Sequence, residues 1–495
     1  MKGYFKRYVA MILAACITLY SAPIAQAEPS SSFVDMPGET HWAYEALNSA
    51  VQNGILRGEN QHLYPAQNLT RAEMAAIINR VFGAEEQADI ARFTDVQTSD
   101  WFYADLAKAV GMGTFVGDGS LMNPNQVMSR QDVMLVLTRA LKLDTADTSN
   151  LNAYTDCAQI ADYAKGAVAA MLKAGYISGF TDQTFRPQDS LTREQMAQIL
   201  YNIFEKYINV SGTYTGDQSG NVIVNVPGVT LKDTTIAGDL IIGDGVGNGT
   251  VTLDNVTVQG RVLVRGGGEN SLRIVNNSNV GSVIVTKSAS GKLRILSSDG
   301  ARVDMVYVDD GQDTLILEGT FKNIAVESDN EMVLKNAVVT QLSVNAAAAN
   351  ITIESGSVSN TVIGEDASKA ELIVGKDADM GRIDVASDAS IDIAGSVAHL
   401  VISPSTQGNA SVSVQDDAVV TTLEVKKDAS AVIQAADSAT IKDIIASDQD
   451  KITIEASSDK KQEIEDQIST GEKPSSGNSG SNSGSNSGHG GSGGS

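Results

Sequence analysis

Leu69-Thr70-Arg71-Ala72-Glu73 returns along the chain as Met128-Ser129-Arg130-Gln131-Asp132 and as Leu191-Thr192-Arg193-Glu194-Gln195. The copies lie about sixty residues apart, which marks three tandem units. Each copy opens a helix in the same way. Thr70, Ser129 and Thr192 are N-cap residues, and Glu73 and Gln195 stand three positions on, where a capping box needs them. Asp132 is a shorter version of the same device. The residue after each cap is an arginine, and a cation in the first turn opposes the helix dipole. Three copies of that mild penalty point to a compensating gain. A helix N-terminus with a guanidinium beside it offers a cradle for an anion such as a sugar carboxylate.

Other landmarks recur in the same order. Phe33-Val34-Asp35 corresponds to Phe93-Thr94-Asp95 and Tyr154-Thr155-Asp156, and Trp42 and Trp101 follow the first two. Gly54-Ile55-Leu56-Arg57-Gly58 corresponds to Gly113-Thr114-Phe115-Val116-Gly117 and Gly175-Tyr176-Ile177-Ser178-Gly179. Tyr64-Pro65, Asn123-Pro124 and Arg186-Pro187 precede the arginine-bearing helices. This order, over roughly residues 32–205, resembles the S-layer homology domain family. The third unit departs from it: Cys157 to Tyr163 carries no Trp. A groove that relies on that aromatic should be weaker there.

The resemblance implies an all-α pseudo-trimer with ligand grooves between neighbouring units. It also implies the ligand, a secondary cell-wall polysaccharide that often bears pyruvate ketals. On that basis Arg71, Arg130 and Arg193 supply charge-assisted donors. Asp35, Asp95 and Asp156 accept from sugar hydroxyls or orient the arginines, and Trp42 and Trp101 offer a flat face to a pyranose ring. The plainer alternative makes the tryptophans core residues and the aspartates helix caps. No cofactor and no metal site is expected.

Beyond about residue 210 the composition changes. Between Leu231 and Glu455 the only aromatics are Tyr307 and Phe321, and Val, Ile, Asp, Ser, Ala and Gly dominate. Short period-two bursts such as Val251-Thr252-Leu253, Val262-Leu263-Val264 and Val283-Ile284-Val285 alternate with Gly, Asn and Ser. One apolar residue per repeat gives Leu240, Val262, Val283, Val306, Ile324, Leu342, Val362, Ile383, Leu400, Leu423 and Ile444, at steps of 17 to 23 residues. That spacing predicts an all-β parallel β-helix, a solenoid rod on the order of 50 Å long at about 4.8 Å per coil. A β-sandwich array would want more aromatic core and clearer hairpin turns.

The N-terminus reads as a signal peptide, 1–27. Lys2, Lys6 and Arg7 precede an apolar run, and Ala25-Gln26-Ala27 is a small-x-small cleavage site. Leu13-Ala14-Ala15-Cys16 resembles a lipobox, but Ile17-Thr18-Leu19 carries the apolar run past Cys16 and favours cleavage after Ala27. After cleavage only Cys157 remains, so no intrachain disulfide forms. The net charge of -24 argues against nucleic acid as a partner. No membrane span is expected after signal cleavage, and no Leu-Pro-x-Thr-Gly sorting signal is seen. Asp309-Asp310-Gly311 and Gly243-Asp244-Gly245 read as turns rather than calcium loops.

The expected organisation is signal peptide 1–27, S-layer homology units at 28–90, 91–150 and 151–207, solenoid 208–456, and a charged cap with a disordered Gly/Ser/Asn tail over 457–495. The expected function is a secreted cell-surface protein, anchored non-covalently to wall polysaccharide, whose solenoid serves as a structural, lattice or adhesive element. Self-association and a surface receptor are the further partners considered for the solenoid. The alternative is a wall-anchored polysaccharide lyase or hydrolase. Against it, the solenoid has almost no aromatic platforms, His399 is its only histidine and is expected as a plain surface residue, and no hydrolase or metalloprotease motif is present.

Overall fold

The computed structural model describes residues 33–269, 271–286, 291–309, 314–406 and 408–469. The expected signal peptide with Cys16, and the Gly/Ser/Asn tail from 470 onward, lie outside those residues.

Each N-terminal unit contributes two main helices. They are α1 (Tyr44–Gln52) and α2 (Arg71–Phe82), α3 (Tyr103–Gly111) and α4 (Arg130–Leu141), and α5 (Asp162–Lys173) and α6 (Arg193–Ile203). The sequence explains where the second helices start. Thr70–Glu73 and Thr192–Gln195 form complete capping boxes, while at α4 the Ser129 side chain accepts from the Asp132 N–H. Gly83, with φ 69°, ends α2 in the left-handed conformation that glycine adopts without strain. The apolar face of α2 (Met74, Ile77, Ile78, Val81, Phe82) is fully buried. A unit this small cannot bury that face alone. Accordingly, α3 packs on α2, α5 on α4, and α1 on α6, so each first helix rests on the second helix of another unit.

The three units close on themselves as a ring. Leu69 N–H donates to Leu191 O at 2.9 Å, Leu191 N–H to Met128 O at 3.1 Å, and Met128 N–H to Leu69 O at 2.8 Å. These residues precede the N-caps, so the starts of α2, α4 and α6 converge around a pseudo-three-fold axis.

The solenoid begins earlier than expected. α6 runs directly into a strand at Phe204–Ile208, inside the segment read as the third unit, and that strand pairs in parallel with Asn221–Val224. Parallel pairing then continues through about 12 turns to Ile468–Ser469. Apolar side chains at alternate positions point inward and stack on their counterparts: Leu315 pairs with Met332, Met332 with Ile351, and Ile351 with Leu372. All four are at most 1% exposed, and each contributes roughly 1.5–3 kcal/mol of hydrophobic stabilisation.

One residue of the expected inward row is wrong. Val362 is 40% exposed, and the register places Thr361 between Leu342 and Ile383. Ile363 points inward, so strand alternation forces Thr361 inward and Val362 out. Hydrophobicity favoured the valine, but the pleat decided the matter. The Thr361 hydroxyl is buried without a hydrogen-bond partner.

A helix at Ser458–Asp466, α7, closes the far end, with Ile464 buried in the solenoid core. At the near end the helices and coils share a core. Ile223, Ile241 and Leu263 point out of successive coils and are buried with the helix residues. Two arginines seal the seam. Arg261 donates to Lys142 O and Leu141 O and pairs with Asp239 at 2.6 Å. Arg265, 2% exposed, donates to Ala140 O and Met112 O and pairs with Asp244 at 2.8 Å. Both satisfy carbonyls at the C-terminal ends of α3 and α4, where the helix dipole favours a cation. Asp244, read as part of a plain turn, is thus a seam ion-pair partner.

Candidate functional site

The helix N-termini are occupied by the protein's own backbone. The first N–H groups of α2, α4 and α6 donate to the carbonyls of Gln126, Asp189 and Gln67, each at 2.9 Å. The second donate to Pro124, Pro187 and Pro65, all in a neighbouring unit. The third are taken by the cap hydroxyls. The expected anion cradle at the helix start is therefore corrected, because the donors that would form it are already spent.

The arginines also reach across units. Arg71 Nε donates to Met122 O at 2.8 Å, Arg130 Nε to Phe185 O at 3.1 Å, and Arg193 Nε to Leu63 O at 2.9 Å. The aspartates grip the same peptides from the other side. Asp35 accepts from Leu63 and Tyr64 N–H, Asp95 from Met122 and Asn123, and Asp156 from Phe185 and Arg186, all between 2.6 and 2.8 Å. Tyr64, Asn123 and Arg186 carry φ values of 55°, 51° and 58°. A left-handed residue ahead of a proline is costly for a non-glycine, and both carboxylate oxygens hold it in place. Burial pushes the Asp35 pKa up, but the Leu63 and Tyr64 N–H groups outweigh it and leave the carboxyl below its ordinary value. The aspartates are not helix caps. They orient the arginines through an intervening peptide.

The motif glycines have a steric reason. A Cβ on Gly58, Gly117 or Gly179 would lie 2.2, 2.0 or 2.1 Å from a ring carbon of Phe33, Phe93 or Tyr154. The aromatic that opens each unit therefore lies flat on the last glycine of the Gly-hydrophobic-x-x-Gly stretch.

Beyond these staples the three arginines differ. Arg193 is 8% exposed, donates also to Arg57 O at 2.7 Å, and lies 3.7 Å from Glu73. Arg130 is equally buried and sits 5.0 Å from the ring centres of both Phe180 and Phe185. Arg71 is the more open one. Its guanidinium stands 5.3 Å from the Phe115 ring and lines a groove of about 500 Å³ with Asp118, Asn123, Gln126, Asp132, Arg139 and Tyr163. Desolvation lowers the pKa of all three arginines.

The groove draws on all three units. Arg71 comes from the first, Asp132 and Arg139 from the second, and Tyr163 from the third. Arg139 lies partly buried, with its pKa lowered by desolvation, and its guanidinium makes no hydrogen bond or ion pair among the described residues. Its charge also acts against that of Arg71. Asp132 accepts from Ser129 Oγ at 2.6 Å and from Tyr163 Oη at 2.8 Å.

Tyr163 corrects the expectation for the third unit. It stands seven residues after Asp156, as Trp42 stands seven after Asp35, and it precedes Gly175 by the same twelve residues that separate Trp42 from Gly54 and Trp101 from Gly113. A tyrosine stands where the other two units have tryptophan, and it lines the Arg71 groove. Trp42, Trp101 and Tyr163 are 56%, 66% and 61% exposed, so none is a core residue. By the same repetition, Trp101 leads the helix that packs beside Glu73 and hence Arg193, and Trp42 leads the one that packs on α6.

His399 is not a plain surface residue. Arg382 Nη1 lies 3.0 Å from its Nδ1, and Glu424 lies 3.3 Å from its Nε2. The guanidinium can only donate, so Nδ1 is the acceptor of that contact, while Nε2 faces Glu424 without forming a hydrogen bond among the described residues. No group of three or more metal-ligating side chains is found among the described residues.

The S-layer homology domain profile matches residues 32–75, 92–134 and 153–197. The helical part is a set of three S-layer homology units. Similar proteins include the exoglucanase XynX of Acetivibrio thermocellus, 29% identical over 39% of this chain and 18% of that protein. The Surface-layer 125 kDa protein of Lysinibacillus sphaericus is 27% identical over 46% of this chain and 19% of its own length. An S-layer protein of Bacillus thuringiensis subsp. finitimus is 25% identical over 40% and 24%. The chain thus spans a quarter or less of these relatives, and the named enzymes match mainly through their S-layer homology domains. The S-layer homology units locate the protein at the cell surface, at the wall. No described helix is long and apolar enough to cross a membrane.

Proposed function

We propose that an anionic secondary cell-wall polysaccharide seats in the grooves between the S-layer homology units, and that the solenoid is a non-catalytic element displayed from this anchor. The observation that carries the reading is the pair Arg71 and Arg139. Two guanidiniums face one groove, neither makes an ion pair among the described residues, and each has lost part of its hydration. Such a site gains from an incoming carboxylate, which can accept charge-assisted hydrogen bonds from both. A pyruvate ketal on a sugar presents a carboxylate of that kind. The volume of about 500 Å³ suits a small ligand, and Tyr163 offers a ring face beside the cations.

Full-length protein carrying Arg139→Gln should sediment with purified cell walls at least about tenfold more weakly than the unaltered protein, with an unchanged melting temperature. Arg71→Gln should lose as much binding and some stability, because its Nε also holds Met122. Unaltered wall binding by both variants would reject the groove.

The competing reading is a polysaccharide-active solenoid. Several of its carboxylates are committed to ion pairs: Asp304 with Arg302, Glu318 with Arg294, and Asp384 with Arg382. A carboxylate whose oxygens already accept from a guanidinium is not free to approach the oxygen of a leaving sugar. Release of reducing ends from wall polysaccharide by the purified protein would favour the enzyme instead.

A further inference from the structure

We infer that the Arg71 groove is one chamber of a longer trough that takes at least two consecutive sugars of the same polymer; this rests on the groove reading above. A second cavity of about 540 Å³ lies beside the first and shares three of its walls, Leu135, Arg139 and Tyr163. Its far side is built from Lys142, Thr145 and Gly166, between the end of α4 and the start of α5.

Three features mark this chamber as part of the same binding surface. First, Arg139 is the partition. Its guanidinium lacks a hydrogen bond or ion pair and borders both cavities, so its donors can serve either sugar or bridge the two. Second, the neighbouring polar groups are already committed. Thr138 Oγ1 donates to Ala167 O at 3.3 Å, and Lys142 pairs with Asp309 at 3.0 Å. These links hold α4, α5 and the solenoid against one another, so the walls are set before a ligand arrives. Third, Gly166 fixes the chamber's outline. A Cβ there would lie 2.7 Å from Thr145 O, so any side chain would displace the loop that forms the far wall.

Each cavity falls in the range of a small-ligand site, and together they form a path rather than a single cup. A polymer lying along it would contact Arg71 with one residue and Arg139 and the exposed Thr145 with the next. The anchor would then read the interior of the glycan and not only its tip.

The test uses full-length protein and polysaccharide fragments released from purified walls and sorted by length, each sugar residue counted as one repeat. The unaltered protein should bind four-repeat fragments at least about tenfold more tightly than one-repeat fragments. Thr145→Trp, which fills the second chamber, should reduce four-repeat binding to the one-repeat level and leave one-repeat binding unchanged. Thr145→Ser should behave as the unaltered protein, and Leu143→Trp serves the same purpose should Thr145→Trp fail to fold. Arg71→Gln should weaken both lengths equally. Length-independent binding by the unaltered protein, or full four-repeat binding by a folded Thr145→Trp protein, would overturn the second chamber while leaving the first intact. Indifference of both lengths to Arg71→Gln and Arg139→Gln would overturn the groove itself.

Discussion

The helical part and the solenoid bury their surfaces by opposite means. In the solenoid, near-identical aliphatic side chains stack coil upon coil, and any one coil resembles the next. In the helical part the apolar faces are ordinary, and the arrangement is set by a few polar residues reaching between units. Arg193, Glu73 and Leu63 come from two different units, yet they meet at one guanidinium. A core built by repetition tolerates exchange of similar residues. A core registered by single arginines does not, and the seam at Arg265 joins the two types.

The largest expected effect breaks that seam. Arg265→Ala leaves Asp244 without its cation and two helix-end carbonyls without a donor, and should cost about 3 kcal/mol or more. Denaturant unfolding followed separately in the helices and strands should then show two transitions in place of one. For the same reason, cutting the chain at residue 207 would expose Ile223, Ile241 and Leu263, so binding is best tested in the intact protein.

Next comes Arg193→Ala, which should destabilise the helical part by about 2 kcal/mol, since the buried carbonyls of Leu63 and Arg57 lose their donor. Thermal melts should show a smaller loss for Arg71→Ala, whose guanidinium is partly solvated. Equal losses would mean the three staples are interchangeable.

Acid should act on stability through the Asp35 staple of the helical part. The Asp35 carboxyl sits below its ordinary pKa, so its contribution is complete above the unfolded value and is lost as pH falls through the folded one. The melting temperature should therefore fall below about pH 4, and Asp35→Asn should flatten that fall at the expense of stability at neutral pH.

The smallest effects test the register of the solenoid. Thr361→Val removes a buried hydroxyl that has no partner and should stabilise by about 1 kcal/mol. Val362→Thr should change stability by less than about 0.5 kcal/mol in a denaturant titration, because that side chain faces water. The reverse pattern would mean the strand is shifted by one residue.

The cap residues were legible because helix starts are local events: a hydroxyl, an N–H three residues on, and little else. The coil period was legible because stacking repeats one pattern many times. The destinations of Arg71, Arg130 and Arg193 were not, since a guanidinium's partner depends on which units become neighbours. Tyr163 was legible in principle, because its distance from Asp156 equals that of Trp42 from Asp35, but a tyrosine in place of a tryptophan breaks the residue pattern while keeping the position. Ile241 and Leu263 read as ordinary strand residues, and only the packed helices reveal that their outward faces are covered. Thr361 was concealed by a more hydrophobic neighbour.

The ring of Leu69, Met128 and Leu191 fixes how many units this anchor contains. Each backbone segment hands a proton donor to one neighbour and offers an oxygen to the other. Delete one unit and two loose ends remain, an N–H and a C=O too far apart to find each other. Insert a fourth and the triangle must open into a square, pulling the helix starts away from the axis they share. Copy number here is a matter of closure, so duplication or loss of a single unit during evolution would break the anchor rather than lengthen or shorten it.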